Sequence, residues 1–287
     1  MKKYKIIFIL ILNVALGNFN DTVYAQTNEP LKIMNYNVLV GFNGSNMYRD
    51  KYRNWITERL PDVITYQEMS KFTEESFAAF AKSYGHAYTA FFDTGSCCPL
   101  AISSKYPVSK IQKLKLEMNH GIIVAEIQGY TLVVLHLDPK SWEQRLVEID
   151  KILKIIKPLS TKKLLMMGDF NSFSPVDAGI YNAQQARLDR AIKGKSKNIN
   201  NGGFDYSVIQ QVIEAGYIDT WWEKHQTFSH TCPTKLHSTS GDSDKLRIDY
   251  IWTSPDLKSK IKNCEIIYDS ITHMLSDHYP VLLTLER

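Results

Sequence analysis

The chain has 287 residues, 44% of them hydrophobic, and a formal net charge of +4, half of which falls in the first 25 residues (Lys2, Lys3 and Lys5 against Asp21). That is length for one large or two small domains and apolar content for a sizeable core. The remaining charge bias is too small to identify a nucleic-acid-binding protein from charge alone.

Residues 1–5 are basic, residues 6–16 apolar, and Val23, Tyr24 and Ala25 end in a small residue before Gln26. This is the pattern of a secretory signal peptide cleaved after Ala25. The apolar run is too short for a transmembrane anchor and is broken by Asn13, and no cysteine stands near the cleavage point for lipid attachment. The expectation is a soluble exported chain, periplasmic or secreted, in which residues 26–287 form one α/β domain.

Residues 31–40 have the pattern of a strand, apolar except for Lys32, Asn35 and Asn37, and lead into a loop at 41–45. Helical spacing over 47–60 stops before Pro61, as pre-proline sterics require. Residues 62–66 form a buried-type strand that delivers Gln67 and Glu68 at its end, and 72–84 an amphipathic helix. Strands follow near 87–92, 100–103, 108–116, 122–127 and 131–137, the last two joined as a hairpin by Gln128 and Gly129. The clearest helix is 142–156, with Leu146, Ile149, Leu153 and Ile156 on one face.

It leads to an unbroken apolar run at 164–167, the signature of a strand buried on both faces, ended by Gly168, Asp169, Phe170 and Asn171. Residues two apart on an extended chain share a side, so Asp169 and Asn171 can face one point while Phe170 anchors in the core. A carboxylate beside a carboxamide is hard oxygen chemistry, suited to Mg²⁺ or Ca²⁺ and to holding a phosphate or a water. The competing reading is an Asx-turn in which both side chains cap their own backbone.

Residues 175–203 follow as helix and exposed loop with a lysine patch at 193–197, then a helix at 207–215 capped by Gly216. A long polar loop spans 225–245, and strands occupy 246–253, 261–268 and 279–285. The cysteines at 97, 98, 232 and 264 permit three pairings outside the cytoplasm. A bond between Cys97 and Cys98 would be strained, and one from either to Cys232 is easier to build. No C-x-x-C pair exists, which argues against zinc.

Otherwise apolar strands thus end in Asn37, Glu68, His136, Asp169, Asn171, Asp249 and the pair Asp277 and His278. Taken singly, each has a structural explanation: a turn former, a solvated strand end, a satisfied core histidine, or an ion pair of Asp249 with Arg247. Taken together they are the acid-rich, oxygen-ligand set that metal-assisted phosphoryl transfer needs.

The segments N-Y-N-V (35–38), Q-E (67–68), L-H-L-D (135–138), G-D-F-N-S (168–172), R-I-D-Y-I-W (247–252) and S-D-H-Y-P-V (276–281) occur in this order. In that order the chain resembles the endonuclease/exonuclease/phosphatase superfamily, the DNase I-like metal-dependent phosphoesterases. The resemblance implies a four-layer α/β/β/α sandwich with its site at one end of two packed sheets. It implies Glu68 as main metal ligand with Asn37 and Asp277 nearby, Asp169 orienting or deprotonating water, and Asn171 holding the phosphate. His278, oriented by Asp249, would contact a phosphate oxygen, and His136 would bind phosphate or assist the leaving group. The implied cofactor is Mg²⁺, with Mn²⁺ or Ca²⁺ as alternatives. The paired cysteines in G-S-C-C-P lie outside what the resemblance carries.

The expected activity is phosphodiester hydrolysis, on nucleic acid, phospholipid or a small phosphodiester, by a monomer without a stable protein partner. A phosphomonoesterase acting on a sugar or inositol phosphate is the alternative reaction, and a catalytically inactive exported binding module the alternative class. The complete set of polar groups argues against the latter, since an inactive copy has no chemical use for it. Trp221 and Trp222 are read as core residues in preference to a lipid-binding edge.

Overall fold

Side chains alternate from face to face along a strand, and in this chain the alternation places buried apolar groups on both faces of the central strands. Such sheets must be covered twice. The computed structural model describes residues 29–159, 161–239 and 241–287, so the signal-peptide reading of residues 1–25 lies outside the described residues.

The strands are β1 (Leu31–Asn37), β2 (Val63–Gln67), β3 (Tyr88–Phe92), β4 (Leu100–Ser104), β5 (Ser109–Leu114), β6 (Ile122–Ile127) and β7 (Tyr130–His136). After them come β8 (Leu164–Asp169), β9 (Ile199–Asn200), β10 (Gly203–Phe204), β11 (Ile218–Asp219), β12 (Asp249–Thr253), β13 (Ile261–Ile266) and β14 (Val281–Leu285). One six-stranded sheet runs β13-β14-β1-β2-β4-β3 and the other β11-β12-β8-β7-β6-β5, while β9 and β10 form a separate small hairpin. Each large sheet is mixed: β1–β2 and β7–β8 are parallel, the other pairs antiparallel.

The sheets pack face to face. Ile33, Val63, Leu100 and Ile102 of one meet Ile123, Leu132, Val134, Leu165, Met167 and Ile251 of the other in a single core. On the outer face of the first sheet, Tyr36, Ile64 and Tyr66 are covered by the helices Asn46–Arg59 and Glu74–Lys82 through Tyr52, Trp55, Ile56, Phe77 and Ala81. Helices Trp142–Ile156 and Ser207–Glu214 cover the outer face of the second sheet through Ile149, Ile152, Val208, Ile209 and Val212. The order helix, sheet, sheet, helix is the expected four-layer α/β/β/α sandwich. Among the described residues no helix is long and apolar enough to cross a membrane.

Three local features depart from the expectations. The first strand stops at Asn37, and the loop expected at 41–45 is a left-handed turn, Leu39–Asn43, in which every φ is positive, between 40° and 63°. Gly41 permits it, since a Cβ there would lie 1.9 Å from the Ser70 carbonyl oxygen. The single helix expected after β8, ahead of its exposed loop, is two helices that are not wholly exposed. Helices Ala178–Asn182 and Gln185–Lys193 close a small core of Phe173, Tyr181, Phe204 and Ile248 beside the sheet ends. Finally, Cys97 is bonded to Cys98, not to Cys232. Cys232 belongs to the His278 side of the site and Cys98 to the Glu68–His136 side, and Cys264 is a free buried thiol.

Candidate active site

Period-two alternation carries polar residues to the inter-sheet face where the strands run out. Val134, Met167 and Ile251 face the inter-sheet core, so His136, Asp169 and Asp249, each two residues away, face the same side at the sheet end. Register then sets them side by side, His136 opposite Asp169 across β7 and β8, Asp169 opposite Asp249 across β8 and β12. The β7–β8 approach depends on Gly168, whose φ is 152° and whose added Cβ would fall 1.9 Å from the Leu135 carbonyl oxygen. From the other sheet, β1 ends in Asn37 and β2 delivers Glu68, held in a left-handed conformation with φ 61°.

Asp169 Oδ2 is the convergence point. It accepts from Asn37 Nδ2 at 3.0 Å and lies 3.5 Å from His136 Nε2 and 3.8 Å from His278 Nε2. Its other oxygen accepts from the Asn171 amide at 2.8 Å, so the Asx-turn and the site coexist. Asn171 Nδ2 donates to the Leu137 carbonyl at 3.1 Å, and Phe170 is buried, edge-on against Tyr250. Glu68 accepts from Asn37 Nδ2 at 3.2 Å and from the Val40 amide at 3.1 Å, the latter donated by the left-handed turn.

His278 Nδ1 shares a 2.8 Å hydrogen bond with Asp249 Oδ2, which fixes the ring so that Nε2 faces Asp169. Burial alone would lower this imidazole, but the Asp249 charge, with Asp169, lifts it well above the ordinary histidine range. Burial pushes Asp249 up against the opposing pull of His278. The Ser276 hydroxyl donates to the Asn37 carbonyl at 2.8 Å and accepts from the His278 amide at 3.1 Å, tying the S-D-H segment to β1.

Glu68, His136, Asp169, Asn171, Asp277 and His278 line one cleft of about 740 Å³, with Lys71, Phe72, Asp93, Cys97 and Cys98 on its walls. Asn37 and Asp249 sit behind it, Asn37 hydrogen-bonded to Glu68 and Asp169 and Asp249 to His278. The structure therefore brings all eight sequence-predicted residues together. Arg247 pairs with Asp177 at 2.7 Å and Asp219 at 2.6 Å, which leaves Asp249 to the histidine. Trp221 packs on the inter-sheet core and stacks on His225.

The donor chemistry fits a hard divalent cation. Glu68, Asp169 and Asp277 bring carboxylate oxygens to the cleft, and among the cleft-lining residues Lys71 and His278 are the cationic groups facing them.

Arg145 is a supporting residue that sequence reasoning passed over. It is fully buried on the helix Trp142–Ile156. It donates to Ser172 Oγ at 2.8 Å, the Asp138 carbonyl at 2.9 Å, the Lys197 carbonyl at 2.8 Å and Asn198 Oδ1 at 2.6 Å. It thus clamps the residues that follow His136 and Asn171. The expected face holds, with Ile149 and Ile156 buried and Leu146 and Leu153 partly buried against the same core, and the fully buried stripe adds Arg145, Glu148 and Ile152. Charged residues one turn apart at core-facing positions were the available signal. Glu148 supports the same loop, accepting from the Asp138 amide at 2.8 Å and the Asn119 amide at 2.9 Å.

Residues 34–278 match the Endonuclease/Exonuclease/phosphatase family. No curated protein matches the chain in sequence. Among solved structures the chain is similar to an AP endonuclease from Archaeoglobus fulgidus, with TM-score 0.71 and 16% identity over 90% of this chain and 100% of that one. It is similar also to the 3' phosphatase NExo from Neisseria bound to a product DNA hairpin, with TM-score 0.70, 18% identity and the same coverage of 90% and 100%. The 3'-5' exonuclease NExo from Neisseria meningitidis gives 0.66 and 19% identity, again over 90% and 100%.

Proposed function

The chain belongs to the endonuclease/exonuclease/phosphatase family and is a phosphate-ester hydrolase, and from that premise we propose that it is an exported, Mg²⁺-dependent phosphodiesterase. The observation that carries the reading is the convergence of two imidazoles and an amide on Asp169 Oδ2 at the floor of an acidic cleft. Asp169 orients the attacking water and takes its proton. His278, cationic because of Asp249, donates from Nε2 to a non-bridging phosphate oxygen. Asn171 lies beside Asp169 in the cleft to hold the phosphate, and His136 stands ready at the leaving oxygen.

Glu68, positioned by the Asn37 amide, and Asp277 in the same cleft would hold the cation, which when bound would neutralise the phosphate and the charge developing on the leaving oxygen. A diester is favoured over a monoester by charge. Lys71 and His278 with a bound divalent cation only balance Glu68, Asp93, Asp169 and Asp277 around the cleft, which suits a monoanionic diester better than a dianion. The similar NExo structure from Neisseria holds a product DNA hairpin, which makes DNA the first natural substrate to try.

The test is hydrolysis of bis-p-nitrophenyl phosphate against p-nitrophenyl phosphate, with Mg²⁺ and with EDTA, for the wild type and Glu68→Ala. Metal-dependent cleavage of the diester, lost in Glu68→Ala, is the expected result. Cleavage of the monoester alone would replace the reading with a phosphatase, and full activity in EDTA would remove the cation.

A further inference from the structure

The vicinal cysteines do not take part in the chemistry above, yet they stand on the cleft wall. Their sulfurs and a ring nitrogen of His120 lie within 4.8 Å of one another. His120 is 1% exposed; its Nδ1 is paired with Ser96 Oγ at 3.0 Å, while its Nε2 is buried without a hydrogen-bond partner. A buried imidazole with one orphaned ring nitrogen, packed against two sulfurs, is an incomplete ligand set.

The loop that presents them is held by bonds independent of the sulfurs. Ser96 Oγ accepts from the Cys98 amide at 3.2 Å, Ser70 Oγ donates to the Cys97 carbonyl, and the Met69 amide donates to the Pro99 carbonyl at 3.0 Å. Breaking the sulfur–sulfur bond therefore leaves the two thiols on the same wall. Cys97 is exposed, so a reductant reaches its sulfur, while Cys98 and His120 are buried.

We propose that the reduced pair Cys97 and Cys98, with His120, is a binding site for a thiophilic divalent ion such as Zn²⁺ or Cd²⁺. A small-molecule dithiol reduces the disulfide: its two thiols are oxidised to a disulfide, and Cys97 and Cys98 each gain a hydrogen. Binding of the ion then releases one proton from each thiol. His120 contributes a lone pair without losing a proton, since burial, ahead of its neighbour His136, holds its pKa at about 3. Water completes the tetrahedron.

The position couples this site to the cleft. His120 stacks on His136 with ring centroids 4.5 Å apart, and Cys98 Sγ groups with Glu68 and His136 within 4.8 Å. The two thiolates cancel the charge of the ion, so occupancy acts on hydrolysis by crowding Glu68 and His136 and not by charge, and only in the reduced protein.

The test uses the full chain, reduced with dithiothreitol, desalted under argon and titrated with Cd²⁺ while thiolate-to-cadmium charge transfer is followed in the ultraviolet. The oxidised chain, which keeps Cys232 and Cys264 as free thiols, is the blank. The expected result is one additional equivalent bound by the reduced form, with affinity weakened at least about tenfold in His120→Ala. Equal binding by both redox forms, no binding by the reduced form, or unchanged affinity in His120→Ala overturns the assignment. The wild-type redox comparison decides the matter even if the variant fails to fold, and it does not depend on the hydrolytic activity.

Discussion

Arg145→Met tests the clamp behind the catalytic loops. The guanidinium is fully buried and makes four hydrogen bonds of 2.6–2.9 Å, to Ser172, Asp138, Lys197 and Asn198. Hydrogen bonds from a charged donor contribute about 1.5–3 kcal/mol each. Removing the cation strands four acceptors but also recovers the several kcal/mol that its burial costs. The net expectation is a loss of about 3–5 kcal/mol, the range seen when one side of a buried charged network is deleted. For a domain of this size that lowers Tm by about 10 °C. Ser172 and Asp138 follow Asn171 and His136 by one and two residues, so a shift of the freed loops misplaces both. At a temperature where the variant is fully folded, kcat/KM should fall about a hundredfold, as expected for a displacement near 1 Å. Arg145→Lys keeps the charge but not the fork and should lie between. Urea unfolding and steady-state hydrolysis of bis-p-nitrophenyl phosphate measure the two effects. A change below about 1 kcal/mol with unaltered kcat/KM would refute the clamp.

Asp249→Asn removes the charge-assisted bond to His278, worth about 3 kcal/mol, and should cost about a hundredfold in kcat/KM; an effect within twofold would leave the His278 role unsupported. Gly168→Ala drives a Cβ into the Leu135 carbonyl at a backbone angle L-residues avoid and should abolish soluble folded protein or cost more than about 3 kcal/mol in urea. His86 is buried between Ser103 Oγ at 2.8 Å and the Pro61 carbonyl at 2.9 Å, and burial holds its pKa at about 4. Because the unfolded chain binds the proton near 6.5, this group's stabilisation is complete above that pH. It is lost as pH falls toward 4, at about 1.4 kcal/mol per pH unit. An NMR titration showing His86 protonating above pH 6, or a His86→Gln variant that keeps the wild-type pH dependence of stability across that interval, would contradict it.

Much of the architecture was legible locally. The strand at 122–127 and the helix at 142–156 carry their own boundaries, because Gln128 and Gly129 make a tight turn and Ser141 caps the helix through the Gln144 amide. Site residues were visible as polar groups where apolar strands should not tolerate them. Asp169 and His136 declare themselves against Leu164–Met167 and Thr131–Leu135 because burying a charge without a partner is costly.

The sequence by itself determined which residues could do the chemistry, since side-chain type and period-two alternation are local properties. Only the tertiary structure decided who partners whom. Register across β7, β8 and β12 sets Asp169 between His136 and Asp249, and the meeting of two sheets brings Glu68 and Asn37 to the same cleft. Packing turned the helix so that Arg145 is fully buried while Leu146 lies at the margin of the core, and loop placement bonded Cys97 to Cys98. Strand register, the meeting of the sheets and the rotation of the helix depend on contacts between residues far apart in the chain, which no local pattern encodes.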